Sequence, residues 1–293
     1  MPNFRALAKL SRPLHLILAA LTYVLGAGIA RYLGRPVHLA AFGLGLLAAL
    51  ALQAASYWLV EYFRLPLTPL AKDETPRHRE ALRTTLFQSA AALLTVSAAV
   101  VVTLLLAHLL PAAAGVVLGL MAVFFFAYAI PPLRLSEMGY GELLLAIYLG
   151  TLLPILAFLL QVGEFHRLLT FATFPLTLLA LAYLLVWNFP TFATDQKFGR
   201  HTLLTRLTWQ RAIPIHHFLI LAAYLLFAAT PFLGFPWGLV WPVFLVLPFA
   251  IVQILWLQQI AQGGRTLWNF LTALAAATFG LTAYLLAFTF WIR

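Results

Sequence analysis

The stretch ELLLAIYLGTLLPILAFLL, residues 142–160, carries one charged side chain, Glu142, at its first position. A helix of this length rises by about 28 Å, which matches the hydrocarbon core of a bilayer. A strand of a membrane barrel would instead alternate apolar and polar residues over about 10 positions. Because the apolar run is continuous, it predicts a helix that spans a membrane.

The same pattern recurs along the chain. Hydrophobic residues make up 63% of the sequence and charged residues only 9%, whereas a soluble domain carries about 25% charged residues. Mean hydropathy is +0.97. Windows of about 19 residues predict nine spans, at 14–30, 38–60, 86–109, 112–130, 142–160, 168–187, 213–232, 237–258 and 267–292. We therefore expect an all-α integral membrane protein, with nine transmembrane helices in a single domain over residues 1–293.

The net charge of +10 would suit a nucleic acid, but a membrane bundle explains it better, so we expect no nucleic-acid partner. Basic residues of membrane proteins gather in cytoplasmic loops. If the N-terminus is cytoplasmic, all but four of the 18 Lys and Arg residues lie inside; the four are Arg31, Arg35, Arg167 and Arg293. This predicts a multi-pass protein of the cell membrane with its C-terminus outside. The absence of Cys excludes disulfide and thiolate chemistry.

Two segments between the spans are long and polar, residues 61–83 and 188–211. Each holds one of the two aspartates, Asp73 and Asp195. Acids at helix ends are suited to Mg²⁺, which takes one or two carboxylates together with substrate phosphates, and Arg or Lys would bind the remaining phosphate charge. The same pattern is typical of solvated loops that only cap a bundle, so composition leaves both interpretations open.

The stretch WNFPTFATDQKFGRHTLLTRL, residues 187–207, resembles the second aspartate-rich motif of the UbiA superfamily, the intramembrane aromatic prenyltransferases. Six residues match the motif, with Arg in place of Lys at one of them: Asn188, Asp195, Gly199, Arg200, Thr202 and Leu203. Residues 128–165 resemble the middle region of the family, and residues 9–19 its opening helix. The branch that makes menaquinone precursors from naphthoate is the most similar.

The resemblance implies a nine-helix bundle around a central cavity with a cytoplasmic cap. It also implies transfer of an isoprenyl chain from a prenyl diphosphate to an aromatic quinone precursor within the lipid bilayer. Mg²⁺ would act as Lewis acid while pyrophosphate departs, and the electron-rich ring would attack the resulting allylic cation. The expected partners are a prenyl diphosphate, an aromatic acceptor and the bilayer.

The chain departs from the family at most of the expected aspartates. When LQAASYWLVEYFR, residues 52–64, is aligned with the first motif, Glu61 stands at the first Asp and Arg64 at the second, with Thr68 at the third. In the second motif Thr191 replaces the first Asp. The resemblance therefore leaves Glu61 and Asp195 as the catalytic carboxylates and metal ligands, enough for one Mg²⁺ but strained for two.

The remaining site residues are predicted from their position and charge. Diphosphate binding is expected from Arg64, Arg134, Lys197 and Arg200, and substrate binding from Asn188, Tyr62 and Thr191. Arg134 equally fits the basic charge of a cytoplasmic loop, and Asn188 equally fits a helix cap. The loss of most motif acids keeps a second interpretation open, a non-catalytic relative that binds isoprenoid lipid or serves as a partner subunit. A transporter is disfavoured, because transporters carry charged or helix-breaking residues in mid-membrane and the last two spans are nearly featureless.

Overall fold

The computed structural model describes residues 4–64 and 75–293, and everything below concerns this part of the chain. The α-helices, in chain order, are α1 Phe4–Leu10, α2 Pro13–Tyr32, α3 Leu39–Tyr62, α4 Pro76–Leu106, α5 Ala112–Ala129, α6 Gly141–Ile147, α7 Leu153–Val162, α8 Arg167–Asn188, α9 Phe192–Lys197, α10 Leu203–Ala229, α11 Trp237–Val240, α12 Leu247–Ala261 and α13 Trp268–Ile292. A π-helical turn, Tyr148–Leu152, joins α6 to α7, and short 3₁₀ turns lie between several other helices.

Across the described ranges, nine helical segments are long and apolar enough to span a membrane. They match the nine predicted spans, so the predicted fold class is confirmed. Large apolar side chains are exposed around the bundle; Val116 is 73% exposed and Leu255 63%. Such a surface is covered by lipid in a protein of this kind. The chain is a multi-pass membrane protein.

The second polar segment is more helical than its composition suggests. After α8, a 3₁₀ turn at Phe189–Thr191 leads directly into α9, and α10 begins at Leu203. Residues 198–202 of the predicted 188–211 segment are therefore left outside helices, and Thr208, with φ 61° and ψ 166°, makes a non-helical kink within α10. Thr202 caps α10, since its hydroxyl accepts the Thr205 N–H and the Thr205 hydroxyl accepts the Thr202 N–H. Polarity marked the segment correctly but did not reveal its helices or the capping box at the start of α10.

The centre of the bundle depends on close helix contacts. Helix α2 packs against α7 and α13, and α8 packs against α10 and α13. Gly26 of α2 lies so near α7 that a Cβ there would be 2.0 Å from the carbonyl oxygen of Pro154. Small residues allow such backbone approach, which is a main source of attraction between helices in lipid.

We expect Gly26→Ala to lower the stability of the protein by about 1–3 kcal/mol, because the methyl group forces α2 and α7 apart. Gly43→Ala is the matched control: Gly43 is also helical, and nothing lies within 4 Å of its added Cβ. Alanine favours a helix over glycine by up to about 1 kcal/mol, so this variant should be as stable as wild type or more so. Thermal unfolding in detergent measures both, and equal midpoints for the two variants would contradict the prediction.

Candidate functional site

A polar cavity lies where one end of α2 meets the ends of α5, α6 and α8. Its polar lining residues are Arg12, His15, Tyr128, Ser136, Glu142, Asn188 and Arg200, and Trp187 also lines it. An isolated β-bridge between Met138 and His201 holds the α5–α6 connection beside the α9–α10 turn. Residues from four distant parts of the sequence thus meet around one space.

An apolar cavity adjoins the polar one. Tyr128 and Leu145 line both spaces. The remaining walls of the apolar cavity are Leu52, Gln53, Ser56, Phe124, Phe125, Leu144 and Tyr148. Leu52 precedes Glu61 by about 13 Å along α3, so the apolar space extends from the polar end toward the middle of the bundle.

Glu61 is buried in the last turn of α3 and faces two arginines. Its Oε2 is 2.9 Å from Nη1 of Arg64, and its Oε1 is 3.9 Å from Nη2 of Arg12. The Arg12 guanidinium also lies 5.1 Å from the centre of the Tyr57 ring. Because Arg12 lines the polar cavity, it connects the predicted acid Glu61 to that space.

Arg12 has two unusual features. Its backbone is left-handed, with φ 52°, immediately before Pro13 at the start of α2; such a conformation is strained for a residue with a side chain and is typical of functional positions. Burial acts to lower the pKa of Arg12, but Tyr128 and Glu61 raise it, and the pKa lies above its ordinary value. The guanidinium therefore stays charged beside the cavity.

Asp195 is buried on α9 and also pairs with an arginine. Its Oδ2 accepts the Thr191 hydroxyl at 2.8 Å, and its Oδ1 is 3.7 Å from Nη1 of Arg200. Gly199, with φ 64°, provides the left-handed residue after α9. The Arg200 N–H then donates to the Asp195 carbonyl at 2.8 Å, as in a Schellman motif. This turn brings Arg200 back toward Asp195 and the polar cavity.

Glu142 joins three helices at the cavity wall. It is buried at the start of α6, its Oε1 accepts a hydrogen bond from Nδ2 of Asn188, and its Oε2 accepts the Leu203 N–H at 3.2 Å. Glu142, Arg12 and His15 are not among the site residues predicted from the sequence. One signal was present, since an acid beside an apolar span is a functional candidate by default.

The structure brings six of the nine predicted site residues together. Asn188 and Arg200 line the polar cavity, Asp195 and Thr191 adjoin it through Arg200, and Glu61 and Arg64 adjoin it through Arg12.

The other three predicted residues point elsewhere. Lys197 is exposed beside the Phe198 ring. Arg134 pairs with Glu137 at 2.6 Å and donates to the Phe63 carbonyl. Tyr62 packs on Phe87, and Arg83 lies over its ring. Thr68 and Asp73 lie outside the described residues.

Glu61 and Asp195 supply carboxylate oxygens, the type of ligand that Mg²⁺ takes. Within residues 4–64 and 75–293, no group of three or more acids or histidines has the arrangement of a metal site. Arg12 and Arg64 face Glu61, and Arg200 faces Asp195, so arginines already balance both carboxyl groups in the ligand-free protein. A diphosphate is a polyanion and requires added positive charge. One divalent cation would satisfy that requirement, and carboxylate and phosphate oxygens are the ligands that Mg²⁺ takes.

Comparison with solved structures identifies the fold. A UbiA homologue from Archaeoglobus fulgidus bound to DMAPP and Mg²⁺ superposes with a TM-score of 0.63 and 17% identity, over 95% of this chain and 98% of that chain. The apo UbiA homologue from Aeropyrum pernix K1 superposes with a TM-score of 0.59 and 16% identity, over 92% of this chain and 95% of that chain. A digeranylgeranylglyceryl phosphate synthase structure superposes with a TM-score of 0.56 and 12% identity, over 100% of this chain and 98% of that chain.

Sequence comparison adds nothing to this result: no protein-family model matches the chain, and no curated protein matches it. The resemblance that the sequence predicts is therefore confirmed by structure, at the level of the fold. The chain adopts the fold of the UbiA membrane prenyltransferases.

Proposed function

We propose that the protein is a UbiA-type prenyltransferase that uses a prenyl diphosphate. The observation that carries the proposal is the shared wall of the two cavities, formed by Tyr128 and Leu145. A prenyl diphosphate has a charged head and an apolar chain, and the adjoining polar and apolar spaces complement these two parts. The DMAPP and Mg²⁺ bound to the Archaeoglobus fulgidus homologue support the same substrate class.

In this proposal the diphosphate binds among Arg12, Arg200 and Arg64. Guanidinium groups make short, charge-assisted hydrogen bonds to phosphate oxygens. Glu61 and Asp195 hold one Mg²⁺, which when bound supplies Lewis acidity for the departure of pyrophosphate. The arginines that pair with these two carboxylates in the ligand-free protein are then available to the phosphate.

The aromatic residues around the cavity suit the next step. Departure of pyrophosphate leaves an allylic cation, and the faces of aromatic rings attract cations. Trp187 and Tyr128 line the polar cavity, and Tyr57 lies beside Arg12. The acceptor, which we propose to be an aromatic quinone precursor of the naphthoate type, attacks the cation through an electron-rich ring carbon.

The proposal includes the predicted orientation. Residues 1–293 act as one domain in the cell membrane, with the N-terminus and the polar cavity on the cytoplasmic side and the C-terminus outside. Supporting this, Arg64 and Arg200 adjoin the cavity and both belong to the basic segments that the charge distribution assigns to the cytoplasm.

One observation favours a second candidate, a non-catalytic isoprenoid-binding relative. Glu61 and Asp195 are each already paired with an arginine, and the described residues offer no further acid grouped with them for a metal. Such a protein would bind a prenyl diphosphate or a prenyl lipid without breaking the bond between the allylic carbon and its oxygen.

A single assay distinguishes the two candidates. Purified protein with Mg²⁺, prenyl diphosphates of increasing chain length and either 1,4-dihydroxy-2-naphthoate or 4-hydroxybenzoate should yield prenylated product and pyrophosphate in equal amounts. Saturable binding of a prenyl diphosphate without product or pyrophosphate, across the whole panel, would support the non-catalytic candidate and reject the transferase.

A further inference from the structure

A buried chain of hydrogen bonds ends at the polar cavity. Nε2 of Gln53 donates to the Tyr57 hydroxyl at 2.8 Å, and that hydroxyl lies 3.1 Å from Nδ1 of His15. All three side chains are at most 2% exposed. The chain connects α3 to α2, and Gln53 lines the apolar cavity while His15 lines the polar one.

The other imidazole nitrogen is unused. Nε2 of His15 is buried and has no hydrogen-bond partner among the described residues. A buried polar atom without a partner costs about 1–3 kcal/mol, so its retention needs an explanation. Glu142, the one acid in the lining of the same cavity, has both oxygens engaged by Asn188 and Leu203. In the tautomer with the proton on Nδ1, Nε2 of His15 offers a free lone pair at this site.

The position of His15 is the second argument. Arg12 and His15, three residues apart near the start of α2, both line the polar cavity. The His15 ring is 4.8 Å from the Trp187 ring and 5.5 Å from the Tyr183 ring, centre to centre. It thus lies near Arg12, one of the arginines that would hold the diphosphate, and beside aromatic rings that would face the allylic carbon.

We infer that Nε2 of His15 receives the proton that the aromatic acceptor loses during prenylation, an assignment that rests on the proposed function. The bond from the allylic carbon to the diphosphate oxygen breaks, and its electron pair leaves with the diphosphate. A ring carbon of the acceptor bonds to the allylic carbon. The proton on that ring carbon moves to Nε2, and the C–H electron pair restores the aromatic ring.

Tyr57 and Gln53 are positioning residues in this assignment. With its own proton on Nδ1, the imidazole donates to the Tyr57 hydroxyl oxygen and keeps the lone pair on Nε2. Gln53 fixes the hydroxyl from the other side. The pair of contacts holds one ring orientation, as the partners of catalytic histidines commonly do, and the assignment requires the tautomer with the proton on Nδ1.

The test uses the full-length protein with an acceptor deuterated at the carbon that is prenylated. His15→Gln should lower kcat by about 100-fold or more, leave the Kd for the prenyl diphosphate unchanged, and give a deuterium isotope effect larger than that of wild type. Tyr57→Phe, which removes only the hydroxyl, should lower kcat by a smaller factor and raise the isotope effect in the same direction. His108→Gln, an exposed histidine outside both cavities, should match wild type.

The outcomes separate this assignment from the proposed function. A wild-type protein that makes no product overturns both. An active wild type with unaffected His15→Gln turnover overturns the assignment alone, and so does a slow His15→Gln with no increase in isotope effect. Binding of the prenyl diphosphate shows that a variant is folded. If His15→Gln does not bind the prenyl diphosphate, the test passes to Tyr57→Phe, in which an isotope effect no larger than that of wild type overturns the assignment.

Discussion

Glu61→Gln and Asp195→Asn should each lower turnover by about 1,000-fold or more. The proposed site has two carboxylates for its metal, and a metal with so few protein ligands cannot lose one and keep its charge-stabilising role. Each change preserves side-chain volume, so packing in the last turn of α3 and on α9 is retained. The measurement is kcat as a function of Mg²⁺ concentration, in which both variants should also need far more Mg²⁺.

Glu164→Gln is the matched control, because Glu164 is an exposed acid that lies outside both cavity linings. Its turnover and Mg²⁺ dependence should equal those of wild type. Full activity of wild type after removal of divalent metal would contradict the prediction, as would a loss confined to only one of the two acids. The second result would mean that Glu61 and Asp195 do not serve one metal–diphosphate complex.

The fold could be predicted because the signal is local. Each membrane span is a continuous apolar run, and backbone hydrogen bonds in lipid leave a helix as the only solution for such a run. The ends of the spans were harder to predict. The turn at Phe189–Thr191 and the start of α10 depend on local hydrogen bonds of polar residues, from the Thr191 hydroxyl to the Asn188 carbonyl and within the Thr202 capping box, which average hydropathy does not detect.

The candidate site could be predicted only in part, because helix rotation decides which side chains meet. Glu61 and Tyr62 are adjacent in α3, yet neighbours on a helix point about 100° apart. Glu61 is therefore buried toward Arg12, whereas Tyr62 packs toward α4. Lys197 follows Asp195 by two positions and faces nearly the opposite side of α9, where it is exposed. Matching a motif assigns positions along the chain but not these directions.

Arg12 and Glu142 could be recognised as site residues only in the tertiary structure. They are far apart in the sequence and meet only because the start of α2 and the start of α6 adjoin the end of α8. In the sequence, Arg12 is one of three basic residues before the first span and looks the same as the others. Its left-handed backbone and its contact with Glu61 distinguish it.

Arg12→Gln should therefore lower kcat/KM by about 100-fold or more, while Lys9→Gln should leave it unchanged. The change removes a cation that lines the polar cavity, and hydrogen bonds from charged donors are worth about 1.5–3 kcal/mol each. Lys9 belongs to the same basic N-terminal segment but is exposed on α1, so it controls for the loss of one positive charge. Initial rates over a range of prenyl diphosphate concentrations provide the measurement.

A double variant shows how Arg12 acts. If it contacts both Glu61 and the diphosphate, the effects of Arg12→Gln and Glu61→Gln should be less than additive, because the first change already disturbs the group that the second removes. Additive losses would indicate that Arg12 contacts phosphate independently of Glu61. Equal, small effects of Arg12→Gln and Lys9→Gln would mean that general positive charge at this membrane face attracts the substrate, and the polar cavity would then not be the diphosphate site.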